Sequence, residues 1–222
     1  MASYLILGAG KFGRLALGRL TERNHEARFL VVDHRPAAVA AARDLAAPGA
    51  EVVEAEAVSY LAAHLGPEPP WDWLLPMVPV HLAFAWLLKG ALAGKGWEPF
   101  QVPAALEGLA ALAIRGAQGE LYLSRARHRC PDDCDEPYIC PVTGEERPQP
   151  LFEELAAASL PELPLLVVAS RQLAPGVGGY SPVALLKLAD TVLKAWRPLL
   201  VATACRCHGV VHGLRPQGER RV

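Results

Sequence analysis

Short apolar runs alternate with segments of helical composition along the first third of the chain. The apolar runs cover residues 4–7, 28–32, 51–54 and 71–75. The segments between them cover residues 14–20, 37–47 and 57–65. Strands that are joined by crossover helices of this length lie parallel and side by side. The pattern therefore predicts an α/β protein with a Rossmann-like, doubly wound parallel sheet.

The rest of the chain predicts a second, smaller α+β part that contains all five cysteines. A helix over residues 82–92 closes the first part, and the glycines and proline of residues 94–99 indicate a boundary. This boundary gives two domains, residues 1–94 and 95–222. Ser181 is expected to cap the last helix, with a proline at its first position. The helices expected in the second part cover residues 103–115 and 183–196, and the strands cover residues 120–124, 164–169 and 199–203.

Charge and composition exclude two classes of partner. The chain of 222 residues has a formal net charge of −1 and a pI near 6.7. This balance provides no positive field for nucleic acid. No apolar run reaches the roughly 18 residues that a membrane helix needs, so we expect no membrane insertion. The first strand follows the initiator methionine without a signal peptide, which predicts a cytoplasmic protein; a homodimer is left open.

The first apolar run breaks into a turn that reads Gly-Ala-Gly-Lys-Phe-Gly and continues into a helical segment. In such a turn Gly8 allows the sharp bend, Gly10 lets the backbone approach a pyrophosphate, and Gly13 lets the helix pack closely on the strand. The helix N-terminus offers unpaired N–H groups to the anion. We therefore predict that these glycines, together with Lys11 and Phe12, bind a dinucleotide.

The residue that ends the second strand selects the cofactor. Asp33 lies twenty residues beyond the last glycine of the turn, where a carboxylate can accept a hydrogen bond from a ribose 2′-hydroxyl. A carboxylate at this position repels a 2′-phosphate, so NAD(H) is favoured over NADP(H). His34 and Arg35 weaken this choice, because an arginine just beyond this position is the usual acceptor for the 2′-phosphate.

These residues resemble the nucleotide-binding N-terminal domain of potassium-transport regulators, the TrkA-N or RCK family. The similarity covers about residues 3–90 and depends on the glycine-rich turn, the strand that ends at Asp33, and residues 55–57. Glu56 stands where the family often has an aspartate beside the adenine. The resemblance implies binding of NAD(H) or another adenine nucleotide. It does not extend past residue 90, where the regulators have a different ligand-binding domain.

The loop after the fourth apolar run is expected to line the ligand crevice, because the carboxyl ends of parallel strands form that crevice. Pro76 and Val78 lie in this loop and are predicted to contact the cofactor. His81 follows them and is the one candidate for a catalytic proton exchange near a nicotinamide. The alternative is that His81 is a surface or capping residue at the start of the next helix.

Five cysteines form two groups that are distant in sequence. Cys130, Cys134 and Cys140 lie within eleven residues of a proline- and aspartate-rich stretch, and Cys205 and Cys207 lie near the C-terminus. Such a stretch has little intrinsic structure. Three thiolates of the first group and one of the second would complete the four ligands of a [4Fe–4S] cluster or a tetrahedral zinc ion.

The C-x3-C-x5-C spacing matches neither the common zinc pattern nor the ferredoxin pattern, and the Cys-Pro pairs favour iron slightly. Disulfides and inert free thiols are the alternatives, and a reducing compartment disfavours disulfides. His208 is a weaker ligand candidate, because in a strand it would point away from Cys207.

Two further segments could meet an anion. A glycine-rich loop at residues 176–180, with Arg171 before it, precedes the last helix, and residues 125–129 carry a basic run. A plain solvent-exposed loop is the alternative for both.

Three functions follow from these features. The first is an NAD(H)-binding protein with a cysteine-ligated metal centre that senses or relays redox state. The second is an NAD-dependent oxidoreductase that acts on a small substrate. The third is a structural zinc-containing interaction subunit or a regulatory subunit of potassium transport.

Overall fold

The computed structural model describes residues 1–45, 49–158, 160 and 162–218. The first four strands form one parallel sheet in the order β3-β2-β1-β4. These strands are β1 (Ser3–Leu7), β2 (Arg28–Asp33), β3 (Ala50–Glu54) and β4 (Trp73–Pro76). The helices between them are α1 (Lys11–Arg23), α2 (Pro36–Leu45) and α3 (Ala57–His64). The α/β fold with a Rossmann-like parallel sheet is confirmed, while the predicted end of α2 at residues 46–47 lies outside the described residues.

Helices cover both faces of this sheet, as a doubly wound fold requires. Leu5 and Leu7 of β1 pack with α3 on one face, where Leu61 is buried. Ile6, which points to the other side, packs with Leu17 of α1 and with α2. The strands are apolar on both faces because both faces are buried.

The predicted helix over residues 82–92 has a change of helical form in its middle. It begins as α4 (Leu82–Trp86) and continues as a π-helical turn, Leu87–Ala91. A Cβ at Gly90 would lie 3.3 Å from the Cβ of Ala62, so this turn packs closely on α3. None of the described helices is long and apolar enough to cross a membrane.

The second half of the chain builds a mixed sheet with the order β6-β7-β12-β11-β8, and β5 also pairs with β12. Strand β8 is parallel to β11, and the other pairs are antiparallel. Its strands are β5 (Trp97–Phe100), β6 (Leu112–Arg115), β7 (Leu121–Ser124), β8 (Leu165–Ala169), β11 (Leu199–Ala204) and β12 (His208–Pro216). The other elements are a hairpin of β9 (Arg171–Ala174) and β10 (Val177–Gly179), and the helices α5 (Leu151–Ala157) and α6 (Pro182–Ala195).

Two sequence predictions in this half are wrong. Residues 103–115 do not form one helix but a 3₁₀ turn, Ala104–Leu109, followed by the edge strand β6. Alanine and leucine favour helices, but pairing of β6 with β7 overrides that preference. Residues 170–180 are not a plain loop, because β9 and β10 form a hairpin there. Ser181 does cap α6, since its hydroxyl accepts a hydrogen bond from the backbone N–H of Val183.

One apolar core lies between the two sheets. It includes Leu7 of the first sheet, Trp86 of α4, Leu185 of α6 and Val201 of β11. Leu200, the neighbour of Val201, points to the opposite face of the second sheet and packs with α5. The predicted division at residue 94 falls just before β5 and stays a prediction. The core between the sheets contains residues from both sides of it.

Candidate functional site

Two glycines of the glycine-rich turn are required by the packing of the protein itself. Gly8 has a φ of +110°, and a Cβ there would lie 2.4 Å from the carbonyl oxygen of Met77. A Cβ at Gly13 would lie 1.8 Å from the carbonyl oxygen of Gly8. The turn and the close approach of α1 to β1 therefore exclude any side chain at these two positions.

Gly10 is different, because nothing in the protein demands a glycine there. Its φ is −67°, and the nearest atom to a Cβ would be the Arg35 Nη2 at 3.4 Å. Gly10 is the N-cap of α1 and, as a glycine, has no side chain that could cap the first turn of this helix. Gly10, Lys11 and Phe12 line a cavity of about 510 Å³ together with Arg35 and residues 76–79. The space beside Gly10 is thus open for a ligand that approaches the backbone.

Asp33 is buried next to Arg35, is not among the residues that line this cavity, and has all its hydrogen-bond partners within the protein. Its carboxylate accepts hydrogen bonds from the backbone N–H groups of Ala9 (2.7 Å) and Arg35 (2.8 Å). It also accepts two from the Arg35 guanidinium, at 3.0 and 2.7 Å. The guanidinium holds the pKa of Asp33 well below its usual range. A ribose hydroxyl would have to replace Arg35, whose side chain is 55% exposed; His34 is also exposed, with Nδ1 3.9 Å from the carboxylate.

The other predicted cofactor residues divide between two places. Pro76 and Val78 line the cavity beside Gly10. Glu56 instead caps α3 by accepting hydrogen bonds from the backbone N–H groups of Val58 and Ser59, and it pairs with Lys89 at 2.9 Å. Partial burial opposes ionisation of Glu56, but the hydrogen bonds from Ser59 and Lys89 lower its pKa to about 2. The structure therefore gives Glu56 a capping role and does not place it among the residues that line this cavity.

His81 lies in a buried polar pair. Its Nδ1 is 2.9 Å from Nδ1 of His212, and its Nε2 is 2.9 Å from the hydroxyl oxygen of Thr203. The ring of Phe84 stacks on His212 with centroids 4.1 Å apart. Burial lowers the pKa of both histidines, to about 4 for His212. His81 is not among the lining residues of the cavity beside Gly10, and sequence reasoning gave no signal for its partner His212, which is 131 residues away.

Cys140 lies in a tight turn that directs donors at its sulfur. Its backbone N–H donates to the carbonyl oxygen of Glu145, and its carbonyl oxygen accepts from the N–H of Gly144, both at 2.8 Å. Hydrogen bonds from the Thr143 hydroxyl and from the N–H groups of Thr143 and Val142 lower the pKa of the Cys140 thiol. The turn therefore favours the thiolate, which is the form that binds metals.

Cys130 and the three thiols that act on it, Cys134, Cys140 and Cys207, form a group that we call the four thiols. Burial raises the pKa of Cys130, and the charges of Cys134, Cys207 and Cys140 raise it further. Cys130 and Cys134 line one cavity together with Cys205 and Cys207, so the structure brings the two cysteine groups of the sequence together. All five cysteines are free thiols.

A buried arginine, which sequence reasoning missed, lies among these thiols. Arg147 is 6% exposed, and its Nη1 donates a hydrogen bond to Sγ of Cys207 at 2.9 Å. Interactions with Cys207, Cys140 and Cys130 raise the pKa of Arg147 against the opposing effect of burial. Its second terminal nitrogen, Nη2, is buried without a hydrogen-bond partner among the described residues. A fixed positive charge at this point favours a negatively charged group between the thiols.

Cys205 has different neighbours. The turn between β11 and β12 brings Nδ1 of His208 to 3.9 Å from the Cys205 sulfur, and the His208 N–H donates to that sulfur at 3.3 Å. Ligand atoms of Glu136, Cys205 and His208 all lie within 4.8 Å of one another. Burial raises the pKa of Cys205, and the Glu136 carboxylate adds to this effect. The other ring nitrogen of His208, Nε2, is 3.7 Å from the Cys130 sulfur, so the structure brings His208 closer to the thiols than we expected.

The cysteine loop contacts the glycine-rich turn directly. Lys11 forms an ion pair with Asp132, and Arg19 of α1 donates to the Asp132 carbonyl oxygen at 3.0 Å. Phe12 lines the cavity beside Gly10 and also a second cavity of about 380 Å³. That second cavity is lined by cysteines from both ends of the second half of the chain, Cys130, Cys134, Cys205 and Cys207, and by His208. The predicted nucleotide site and the predicted metal site therefore share a wall.

The other two anion candidates have structural partners. The hairpin turn at Gly176 supports the cysteine loop, because its N–H donates to the Cys134 carbonyl oxygen at 2.8 Å. A Cβ at Gly176 would lie 1.9 Å from the Asp132 carbonyl oxygen. The guanidinium of Arg171 lies over the ring of Phe152, and Arg125 of the basic run pairs with Glu154.

Comparison with known proteins places the chain in a family. A family model described as "Uncharacterized protein, C-terminal domain" matches residues 82–217, more than half of the chain, so the protein belongs to this family. A protein of Archaeoglobus fulgidus with the name "Uncharacterized protein" is 31% identical over 222 residues, which covers 95% of this chain and 98% of that relative. No solved structure matches the chain. The matched segment contains all five cysteines.

Proposed function

We propose that this protein binds an adenine dinucleotide, NAD(H), at the glycine-rich turn and carries a cysteine-ligated metal centre beside it. In this proposal the protein senses redox state or nucleotide state, or relays electrons. The observation that carries the proposal is the wall shared by the two cavities, with Phe12 on both sides and the Lys11–Asp132 ion pair across the boundary. A nucleotide phosphate at the N-terminus of α1 would compete with Asp132 for Lys11.

The nucleotide half of the proposal is supported by the turn and by Asp33. Packing within the protein leaves no room for a side chain at Gly8 or Gly13, whereas Gly10 faces open space. This is the division of roles expected for a turn that binds a pyrophosphate. The resemblance of residues 3–90 to the TrkA-N or RCK domain agrees with it. Asp33 favours NAD(H), on condition that Arg35 moves aside when the ribose binds.

The metal half of the proposal is supported by the four thiols and Arg147. Four thiolates around one zinc ion, each at about 2.3 Å from it, have sulfur atoms within about 4 Å of one another. Among the described residues, no three of the cysteines meet even a 4.8 Å limit. A [4Fe–4S] cluster is larger than a single ion and holds its thiolates further apart. The spacing therefore favours the cluster over zinc, with Cys130, Cys134, Cys140 and Cys207 as ligands.

Sensing fits the site better than direct hydride chemistry. NAD(H) exchanges electrons as a hydride, whereas iron–sulfur centres exchange single electrons. His81, the candidate proton donor of an NAD-dependent oxidoreductase, is buried and engaged by His212 and Thr203. We therefore place the oxidoreductase second and the structural zinc or potassium-transport subunit after it.

Calorimetry and potentiometry on anaerobically purified protein test this proposal. NAD(H) should bind with a stoichiometry of one and more tightly than NADP(H). NAD(H) binding and reduction of the metal centre are linked reciprocally. If the oxidised and reduced forms of the centre differ tenfold in NAD(H) affinity, saturating NAD(H) must shift the midpoint potential of the centre by about 59 mV. A protein that binds no adenine nucleotide would refute the first half, and a potential that is unaffected by saturating nucleotide would refute sensing.

A further inference from the structure

Three ligand groups remain beside the four-thiol centre. Glu136, Cys205 and His208 offer a carboxylate oxygen, a thiol sulfur and an imidazole nitrogen within 4.8 Å of one another. Around a tetrahedral zinc ion, a sulfur at about 2.3 Å and a nitrogen at about 2.0–2.1 Å from the metal lie roughly 3.6 Å apart. The Cys205 sulfur and Nδ1 of His208 are 3.9 Å apart, close to that value before any metal draws them together.

The backbone fixes these three groups. The N–H of Cys205 donates to the carbonyl oxygen of His208 at 2.8 Å, which closes the turn between β11 and β12. The Glu136 carboxylate, 70 residues away along the chain, accepts a hydrogen bond from the backbone N–H of Arg206 at 3.2 Å. Glu136 itself has a φ of +55°, which is uncommon for a residue other than glycine. The fold thus holds the carboxylate against the turn.

His208 lies between Cys205 of this group and Cys130 of the four thiols. Its Nδ1 faces the Cys205 sulfur, and its Nε2 lies 3.7 Å from the Cys130 sulfur on the other edge of the ring. The groups that act on Cys205 are Glu136 and the backbone N–H groups of Cys207 and His208. Those that act on Cys130 include the three other thiols of the four-thiol group.

We infer that Glu136, Cys205 and His208 form a second, mononuclear site for a zinc-type divalent cation, distinct from the four-thiol centre. One oxygen, one nitrogen and one sulfur donor suit a borderline ion such as Zn²⁺. Three protein ligands leave the fourth position open, which is the arrangement of catalytic zinc sites, where water or a substrate oxygen completes the coordination.

The open position would serve the same cavity as the nucleotide site. All three ligands line the cavity of about 380 Å³, and Phe12 of the glycine-rich turn lines it as well. The ligand class for the fourth position is a small oxygen donor, such as water, hydroxide or a carboxylate. A role of that ligand beside the nucleotide rests on the proposed function, but binding of the zinc ion does not.

Zinc titration of anaerobically purified protein, with elemental analysis of bound iron and zinc, tests the site. The protein should bind one equivalent of zinc besides the metal of the four-thiol centre. Glu136→Gln and His208→Gln should each weaken this zinc binding by more than about 100-fold, beyond the loss expected for residues that only orient a ligand. Glu153→Gln and His25→Gln, at exposed positions, are the matched controls and should bind zinc like the wild type. Cys134→Ser should lose the four-thiol centre and keep the zinc.

X-ray absorption at the zinc edge of the wild-type protein gives a reading that does not depend on any variant. We expect one sulfur neighbour, with nitrogen or oxygen in the remaining positions. Three or four sulfur neighbours would overturn the inference, and so would full zinc binding by folded Glu136→Gln and His208→Gln variants. If these two variants and Cys134→Ser all lost every metal, the three residues would belong to one centre with the four thiols, which would also overturn the inference. If the purified protein binds a zinc ion with one sulfur neighbour but has no metal at the four thiols, the proposed function is refuted and the second site stands.

Discussion

Substitution of Gly13 and of Gly10 should separate the two roles of the glycine-rich turn. An alanine Cβ at position 13 would lie 1.8 Å from the backbone carbonyl oxygen of Gly8, so the strand or the helix has to shift. A Cβ at position 10 would lie 3.4 Å from the end of the flexible Arg35 side chain, which is an ordinary contact. Gly13→Ala should therefore damage stability, and Gly10→Val should damage nucleotide binding.

The expected magnitudes follow from these distances. Overpacking costs about 1–3 kcal/mol, and a clash of this depth with backbone should cost at least the upper value. For a chain of this length about 3 kcal/mol lowers the melting temperature by roughly 6–12 °C. Gly10→Val should cost about 1 kcal/mol or less, which is the usual difference between residues at an N-cap.

Thermal unfolding with and without NAD(H) measures both effects. Ligand at 100 times its Kd stabilises the wild-type protein by about 2.7 kcal/mol, which raises its melting temperature by roughly 5–11 °C. Gly10→Val should melt near the wild-type temperature without nucleotide and show no such rise. A Gly13→Ala protein that melts within about 2 °C of the wild type would refute the packing argument. A full nucleotide-dependent rise in folded Gly10→Val would refute the assignment of the binding site.

Three further outcomes are expected. Asp132→Asn should free Lys11 and raise the affinity for NAD(H) by up to about fivefold, because a partly exposed ion pair is worth about 0–1 kcal/mol. Asp133→Asn is the control. Equal NAD(H) affinities of Asp132→Asn and the wild type in calorimetry would contradict the competition between Asp132 and the nucleotide for Lys11. Arg147→Gln should weaken metal binding by about 10–100-fold, as loss of a residue that supports the ligands does, and unchanged metal affinity in a competition titration would refute its role. Burial lowers the pKa of His212 to about 4 in the folded protein, against about 6.5 in the unfolded chain. Between those pH values only the unfolded chain takes up this proton, so the free energy of unfolding should fall by up to about 1.4 kcal/mol per pH unit as pH decreases. Urea unfolding at pH 7 and pH 5 should show a smaller loss of stability in His212→Gln than in the wild type. Equal losses in the two proteins would contradict the assignment of this proton to His212.

The first sheet could be predicted from the sequence because its signals are local. Each strand, the glycine-rich turn and Asp33 lie within one stretch of alternating apolar and helical segments, which is typical of parallel strands joined by crossover helices. The order β3-β2-β1-β4 was not predicted. Strand β12 was not predicted, because its pairing with β11 on one side and with β5 and β7 on the other is set by residues far along the chain. Pairing with β7 likewise makes residues 112–115 a strand against their composition.

Of the candidate metal site, the sequence indicated the cysteines and, as a weaker ligand candidate, His208. The clustering of the cysteines in the sequence indicates a common ligand, but the partners that distinguish them come from tertiary contacts. Arg147 reaches Cys207 across 60 residues, and Glu136 reaches the turn at Cys205 across 69. No metal-binding sequence motif places an arginine or a glutamate at such a distance from a cysteine, so the sequence did not indicate Arg147 or Glu136. The polar pair of His81 and His212 was invisible for the same reason.

Metal analysis of the anaerobically purified protein tests the central claim most directly. Iron and acid-labile sulfide in equal amounts, about four of each per chain, with a broad visible absorption, are the result that a [4Fe–4S] cluster on Cys130, Cys134, Cys140 and Cys207 predicts. Serine at any one of these four positions should abolish that absorption. A preparation that contains neither iron nor zinc, and whose five thiols all titrate freely, would contradict the metal centre and leave only the nucleotide site.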